Sequence, residues 1–133
     1  MIDIEEFHDR IAEGATTIVQ SCLVEDPTLI QVRNQFNNTP LHTACWHKHP
    51  EIIELLLTLG ADINAIGFHG FTPLHYAVWD GDTFCIPIVA TLLENGADPE
   101  ITDGGGRKPS ELAESELFED REQVIALLRA KQS

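Results

Sequence analysis

Six histidines and three cysteines are the residues of this chain that could ligate a metal ion or act as nucleophiles. His47 and His49 lie two residues apart at the end of a predicted helix, where their side chains diverge by about 200° and make a poor chelating pair. The cysteines form no CxxC motif, and their apolar surroundings favour buried free thiols over disulfide or zinc chemistry. No nucleophile, base and orienting group can be read together from the spacing. The sequence therefore predicts no enzyme, no metal centre and no cofactor.

Two other segments could bind charged ligands. The run Gly104-Gly105-Gly106 is followed by Arg-Lys-Pro-Ser instead of a Walker Lys-Ser/Thr, so a loose turn is predicted rather than a phosphate loop. Acidic residues also cluster between positions 111 and 122: Glu111, Glu114, Glu116, Glu119, Asp120 and Glu122. This acidic cluster is either the solvated face of a terminal helix pair or a docking patch for a basic partner, and the sequence leaves both interpretations open.

The charge is the outlying feature of the composition. The 133 residues, one domain's worth, include 22 acids and 8 bases and give a net charge of −14. Such a field repels nucleic acid and anionic lipid and attracts basic partners, although it also serves simply to keep a protein in solution. No run is long enough for a transmembrane helix, and the acidic N-terminus is unlike a signal peptide, so we expect a cytoplasmic protein.

An internal repeat predicts the architecture that must position these residues. The tetrapeptide at 39–42, Thr-Pro-Leu-His, returns at 72–75, and each copy is followed two residues later by alanine. Gly-Ala-Asp at 60–62 returns at 96–98. A fixed period in this range indicates a stack of small units, none of which can bury a core alone.

Each unit is predicted to be a helix, a tight turn and a second helix. Thr39 can cap the first helix with Pro40 in its first turn, and Gly60 can end a second helix over residues 51–59. The next unit repeats this with a helix over 72–80, a three-residue insertion within 81–87, and a second helix opened by Pro87. Flanking units are degenerate: His8 lies 34 residues before His42, and residues 103–128 supply a last turn and helix pair.

This pattern resembles the ankyrin repeat family over nearly the whole chain. The resemblance implies one all-α domain over 1–133, a solenoid of about four helix-turn-helix repeats with β-turn fingers and degenerate terminal capping repeats. Their approximate bounds are 1–33, 34–66, 67–102 and 103–133. Fingers and first helices should line a concave groove, with second helices on the convex back. His42 and His75 should be structural, and Asn64 matches an asparagine that usually braces the turn but is hydroxylated in some members.

The resemblance also indicates which positions contact a partner. Carried over by register, they are Gln35, Phe36, Asn38, Trp46 and His47; Phe68, His69, Phe71, Trp79 and Asp80; and Gly104, Gly105, Arg107, Ser115 and Glu116. The two tryptophans occupy equivalent places 33 residues apart, and three phenylalanines fall on adjacent finger tips. These aromatics form either an exposed binding row or a packed layer that covers the fingers.

The sequence therefore predicts a non-catalytic protein-binding module, monomeric when free, whose concave groove binds another protein, a basic one being favoured by the charge. Neither nucleic acid nor a membrane is expected as a partner. Two alternatives stay open. One is an inhibitor or immunity-type protein that masks a basic toxin or enzyme. The other is a regulatory subunit that docks through its acidic C-terminal cap.

Overall fold

A computed structural model describes residues 2–79, 85–115 and 121–131 of the chain. Within these ranges the secondary structure is helical, without a β-strand, which confirms the all-α prediction. The helices are α1 (Ile4–Ala12), α2 (Thr16–Glu25), α3 (Pro40–Trp46), α4 (Pro50–Thr58), α5 (Pro73–Val78), α6 (Cys85–Glu94), α7 (Pro109–Ser115) and α8 (Arg121–Ala130). A short 3-10 helix, Pro27–Gln31, follows α2.

The helices form two layers. The odd-numbered helices pack on one another in order as an inner layer, and α2 on α4 and α6 on α8 form the outer layer. A continuous apolar core runs between the layers and includes the buried cysteines Cys45 and Cys85, while Cys22 is half-buried. The helix ends differ slightly from the prediction. For example, α5 ends at Val78, and α6 already includes Cys85, so that Pro87 lies in its first turn, where a missing N–H is tolerated.

The repeated Thr-Pro-Leu-His segment begins the two central inner helices with a reciprocal cap. The Thr39 hydroxyl accepts the backbone N–H of His42, and the His42 ring accepts the backbone N–H of Thr39. Thr72 and His75 make the same pair of bonds at the start of α5. Each motif thereby satisfies backbone donors that a helix start would otherwise leave unpaired.

Between the helix pairs the chain forms hairpin-like fingers. A backbone hydrogen bond at equivalent positions closes the base of each finger: Asn34 N–H to Asn38 (3.0 Å), Gly67 N–H to Phe71 (2.8 Å) and Asp103 N–H to Arg107 (2.8 Å). The predicted loose turn at 104–106 is wrong, because the Asp103 carboxylate also accepts the N–H groups of Gly105 and Arg107 and makes this finger as tight as the others.

A buried histidine ring joins each of the first three repeats to the finger that follows it. Nε2 of His42 lies 2.9 Å from the carbonyl oxygens of Ala65 and Phe71, and Nε2 of His75 lies 2.9 Å from that of Arg107. In the first repeat, Nε2 of His8 lies 3.1 Å from the carbonyl oxygen of Val32. The structural role implied for these histidines is therefore observed.

The partners of His42 define its protonation state. Because Nδ1 accepts the N–H of Thr39, it carries no proton, and the ring is neutral with its proton on Nε2. Burial is the main cause that lowers the pKa of His42 from 6.5 to about 4, and the nearby Arg33 acts in the same direction. Burial also lowers the pKa values of His8 and His75.

The absence of a side chain at Gly70 allows two neighbouring fingers to touch. Gly70 has φ +75°, and a Cβ there would lie 2.5 Å from the backbone nitrogen of Gly104, which donates to the carbonyl of His69 at 2.7 Å. Gly106 has a similar φ of +81°, yet its Cβ would meet nothing within 4 Å. Comparing Gly70 with Gly106 therefore separates the energetic cost of placing a side chain on a left-handed backbone from the cost of a steric clash with the neighbouring finger.

We therefore expect Gly70→Ala to be more destabilising than Gly106→Ala. Both variants carry a cost of about 1 kcal/mol for alanine at positive φ. Gly70→Ala adds about 1–3 kcal/mol because the new methyl group pushes two backbones apart. Urea unfolding of both variants measures the difference, and equal losses would show that the finger contact contributes nothing to stability.

We also expect the free energy of unfolding to decrease as the pH falls from 6.5 toward 4. The unfolded His42 ring takes up a proton below 6.5, whereas the folded ring resists protonation until about pH 4, so the unfolded state gains protons first. The complete shift corresponds to about 3 kcal/mol. Urea unfolding across this window should show a smaller loss for His42→Gln than for wild type; the same loss in both would contradict the assignment to His42.

Candidate functional site

Three aromatic side chains, those of Trp46, Tyr76 and Trp79, pack in a row along the inner layer, which we call the aromatic ladder. The ring centroids of Trp46 and Trp79 lie 5.7 Å apart, so the adjacency expected from their register is observed. Tyr76 lies beside both, stacked on Trp46 at 5.5 Å and tilted against Trp79 at 5.9 Å. The tryptophans are half-buried and Tyr76 is almost fully buried. Each tryptophan therefore packs against its neighbours in the ladder, and part of its side chain is also exposed to solvent.

Sequence reasoning missed Tyr76 as a member of this ladder. It stands between the motif histidine and alanine, where the preceding copy of the repeat has Thr43. Its hydroxyl accepts a hydrogen bond from Nδ2 of Asn38 at 2.8 Å, and burial raises the pKa of this phenol. The sequence does contain a signal for this role, because Tyr76 is aromatic where the equivalent residue of the preceding copy, Thr43, is small.

Lys48 binds the backbone of the ladder residues, and the sequence analysis did not identify this role either. Its backbone has φ +59° in the turn between α3 and α4. Nζ lies 3.1–3.3 Å from three carbonyl oxygens, those of Trp46, Tyr76 and Trp79. An ammonium group has three protons to donate, and here it satisfies carbonyls at the ends of two helices. These bonds offset the strain of the left-handed backbone and hold both tryptophans in place.

The phenylalanines of the fingers divide into two groups. Phe36 and Phe68 are 45% and 44% exposed and meet edge to face with centroids 5.8 Å apart, and His69 lies against Phe68. Phe71 is only 7% exposed and packs between Tyr76 and Trp79. The expectation that Phe71 belongs to an exposed row is therefore wrong, because its side chain points into the ladder.

Asn38 likewise belongs to the interior, contrary to its assignment as a partner contact. The residue is 1% exposed. Its side chain donates to Tyr76 and accepts the N–H of Phe68 at 3.1 Å, so that one amide joins two fingers and the ladder. A substitution here would act on folding rather than on a partner directly.

A cleft of about 520 Å³ opens between the ladder and the last two fingers. Its apolar walls are Phe68, Phe71, Tyr76 and Trp79, and its polar side is Asp103, Gly104, Gly105 and Arg107. The Arg107 guanidinium is half-exposed and pairs at 3.3 Å with the buried carboxylate of Asp103. The inner helices beside the cleft, α3 and α5, carry no Asp, Glu, Lys or Arg. Aromatic contact is thus the principal chemistry that this surface offers.

The remaining expected contacts lie around this surface. Gln35 and His47 are exposed, and the backbone N–H of Gln35 donates to Glu5 at 2.7 Å. Partial burial of the His47 ring is the first cause that lowers its pKa, and the charges of His49 and Lys48 act in the same direction. Ser115 is exposed at the end of α7. Asp80 and Glu116 lie outside the described residues.

The described members of the acidic cluster have partners within the chain. Glu111 accepts the backbone N–H of Lys108 at 3.0 Å, Glu114 pairs with Arg129, and Glu122 pairs with Arg121 at 3.4 Å. Glu116, Glu119 and Asp120 lie outside the described residues. In the described part, these acids therefore stabilise the C-terminal helix pair.

Asn64 braces the connection between repeats. Its side-chain oxygen accepts the N–H of Asp98 at 2.9 Å, and its own N–H donates to Asp62 at 3.0 Å. Among the described residues, no cluster of three His, Cys, Asp or Glu side chains is arranged to hold a metal ion. Nor is any described helix long and apolar enough to cross a bilayer.

Comparison with known proteins identifies the repeats. Residues 7–103, more than half of the chain, match the family of ankyrin repeats in three copies. YahD, an ankyrin repeat protein of Escherichia coli, is 35% identical over 118 residues, covering 79% of this chain and 59% of that protein. The ADP-ribosylation factor GTPase-activating protein AGD2 of Arabidopsis thaliana is 47% identical over 66 residues, 50% of this chain and 8% of that protein.

A further relative, the target of rapamycin complex 2 subunit AVO2 of Saccharomyces cerevisiae, is 27% identical over 108 residues, 81% of this chain and 25% of that protein. The chain spans less than two thirds of the length of each of these three relatives. The family match, the capping histidines and the stacked fingers agree. The chain belongs to the ankyrin repeat family, whose repeats are modules of protein–protein interaction.

Proposed function

We propose that this protein acts without catalysis, by binding another protein through the concave surface made of the finger tips and the aromatic ladder. The observation that carries the proposal is the exposed pair Phe36 and Phe68 beside the half-buried Trp46 and Trp79. Exposed aromatics are unfavourable in water, and aromatic anchors dominate the binding energy of many interfaces.

The surface is also preorganised. Hydrogen bonds from Lys48 hold the backbone at both tryptophans, and the Asn38 amide holds the finger that carries Phe68. Because these backbone segments are already ordered in the free protein, binding of a partner does not have to order them, and the entropic cost of association is lower. We expect a partner segment to place one apolar or aromatic side chain in the cleft of about 520 Å³.

The net charge of −14 favours a basic partner, since the field of the whole molecule accelerates encounter with a cationic surface. An inhibitor that masks a basic toxin or enzyme is the narrower form of this proposal. The proposal includes a cytoplasmic location and a monomeric free state; the buried free thiol at Cys45 supports the former. Docking through the acidic cap is less favoured, because Glu111, Glu114 and Glu122 have partners within the chain.

The double variant Phe36→Ser/Phe68→Ser tests the surface without removing buried contacts. We expect it to lose at least about tenfold of the partner that wild type captures from a native lysate, as quantified by mass spectrometry. The matched control is Ile4→Ser/Ile18→Ser, which removes two apolar side chains of similar exposure (40% and 49%) from the first helix pair. A partner retained equally by both double variants would exclude the concave surface.

The proposed basic character of the partner is tested by the salt dependence of the association rate. We expect the association rate of the captured partner to fall severalfold when the ionic strength is raised from about 0.01 M to about 0.15 M, because the Debye length shrinks from about 30 Å to about 8 Å. The dissociation rate should change much less. A rate that is independent of salt would contradict the assignment of a basic partner.

A further inference from the structure

A second apolar groove lies on the opposite, outer side of the stack, between α2 and α4. Leu23, Val24, Pro27, Ile30, Leu55 and Leu59 line a volume of about 260 Å³. Val24 is 77% exposed and Leu59 is 51% exposed, so the groove is open to solvent. The volume is below the range of about 300–1,000 Å³ typical of small-molecule sites. It suits a few aliphatic side chains of another protein.

The neighbouring groove on the same side, between α4 and α6, has the opposite chemistry. Its volume is about 310 Å³, and Glu54 and Glu94 line it from the two helices together with Thr58, Thr91 and Asn95. Both glutamates are exposed. An apolar groove and an acidic groove thus lie side by side, separated by α4.

The acidity of the outer helices α2, α4 and α6 is not balanced by bases on the same helices. Helices α2, α4 and α6 contain no lysine or arginine, and they contribute Glu25, Glu51, Glu54 and Glu94. Among the described residues, none of these four glutamates makes an ion pair. All bases of the chain lie on other elements: Arg10, Arg33, Lys48, Arg107, Lys108, Arg121, Arg129 and Lys131. The three outer helices α2, α4 and α6 therefore attract cations more than the uncharged inner helices α3 and α5 do.

We propose that this outer surface is a second interaction site, which binds a basic amphipathic helix of another protein. Aliphatic residues of that helix enter the groove between α2 and α4, and its lysines or arginines lie over Glu54 and Glu94. Packed helices are about 8–10 Å apart, so the two groove centres are separated by about the same distance. At 1.5 Å per residue, the apolar and basic groups of the partner are about five to seven residues apart along its helix.

The charges exclude the other simple occupants of this surface. A second copy of the chain would bring its own charge of −14 against the same glutamates, and an anionic bilayer would be repelled in the same way. A basic helix satisfies both grooves at once, since its apolar residues bury Leu55 and Leu59 while the cations farther along the same face neutralise the acids. This inference is independent of the concave surface and requires none of its residues.

The test uses a synthetic helical peptide of about 18 residues with leucine at i, i+3 and i+4 and lysine at i+7, i+8 and i+11. The comparison peptide has glutamate in place of every lysine. Isothermal titration calorimetry should show binding of the lysine peptide and at least about tenfold weaker binding of the glutamate peptide. Amide shifts measured by NMR should fall on α2, α4 and α6 rather than on the fingers.

Two variants with the same change of charge locate the site. Leu59→Lys places a cation in the groove, at the C-terminal end of α4, where the helix dipole favours it, so folding should be retained. Ile66→Lys is the matched control, because Ile66 is 46% exposed and lies outside both grooves. We expect Leu59→Lys to weaken peptide binding at least about tenfold and Ile66→Lys to have little effect.

Several outcomes would overturn the proposal. They are no binding of the lysine peptide, an equal loss in Leu59→Lys and Ile66→Lys, or amide shifts confined to the fingers. Self-association of wild type that Leu59→Lys abolishes would assign the groove to a second copy instead. The Phe36→Ser/Phe68→Ser variant should retain peptide binding, so failure of the outer site and failure of the concave site are distinguishable.

Discussion

The hydrogen bond between a buried histidine and the finger of the next repeat is the interaction on which the rest of this structure depends. In the centre of the stack, the His42 ring caps its own helix with one nitrogen and holds the carbonyls of Ala65 and Phe71 with the other. A buried carbonyl without a donor costs about 1–3 kcal/mol. Because Nδ1 accepts an N–H and Nε2 donates, the imidazole is neutral, and this repeat defines the position of its neighbour.

The aromatic surface follows from this connection. Holding the carbonyl of Phe71 directs its side chain inward onto Tyr76 and Trp79, and the finger tips with Phe36 and Phe68 are left outside. The half-buried tryptophans contribute to both folding and the proposed interface. This is the reason for testing binding with the exposed phenylalanines: their removal leaves the ladder intact.

Charge and aromatic character are segregated onto different sides of the stack. The inner helices α3 and α5 are uncharged, whereas the outer helices α2, α4 and α6 carry only acids. A net charge alone describes how the whole molecule attracts cations, but it does not indicate where they bind. As a result, the concave surface offers mainly apolar and aromatic contacts, whereas the outer surface offers acidic groups beside an apolar groove.

The sequence by itself determined the repeat, its helix caps and the adjacency of Trp46 and Trp79, because these follow from local spacing and a fixed period, whereas the structural role of His42 and His75 was implied by the resemblance to the ankyrin repeat family. Tertiary structure decided which side of each finger faces the core. Phe71 and Asn38 turn inward because Tyr76 packs against one and binds the other, although the equivalent residue of the preceding repeat is Thr43. It also decided that Gly70 must touch Gly104 and that Lys48 reaches three carbonyls. Register predicts which residues are neighbours, but the direction of a side chain depends on the volume and hydrogen-bonding groups that the next repeat presents.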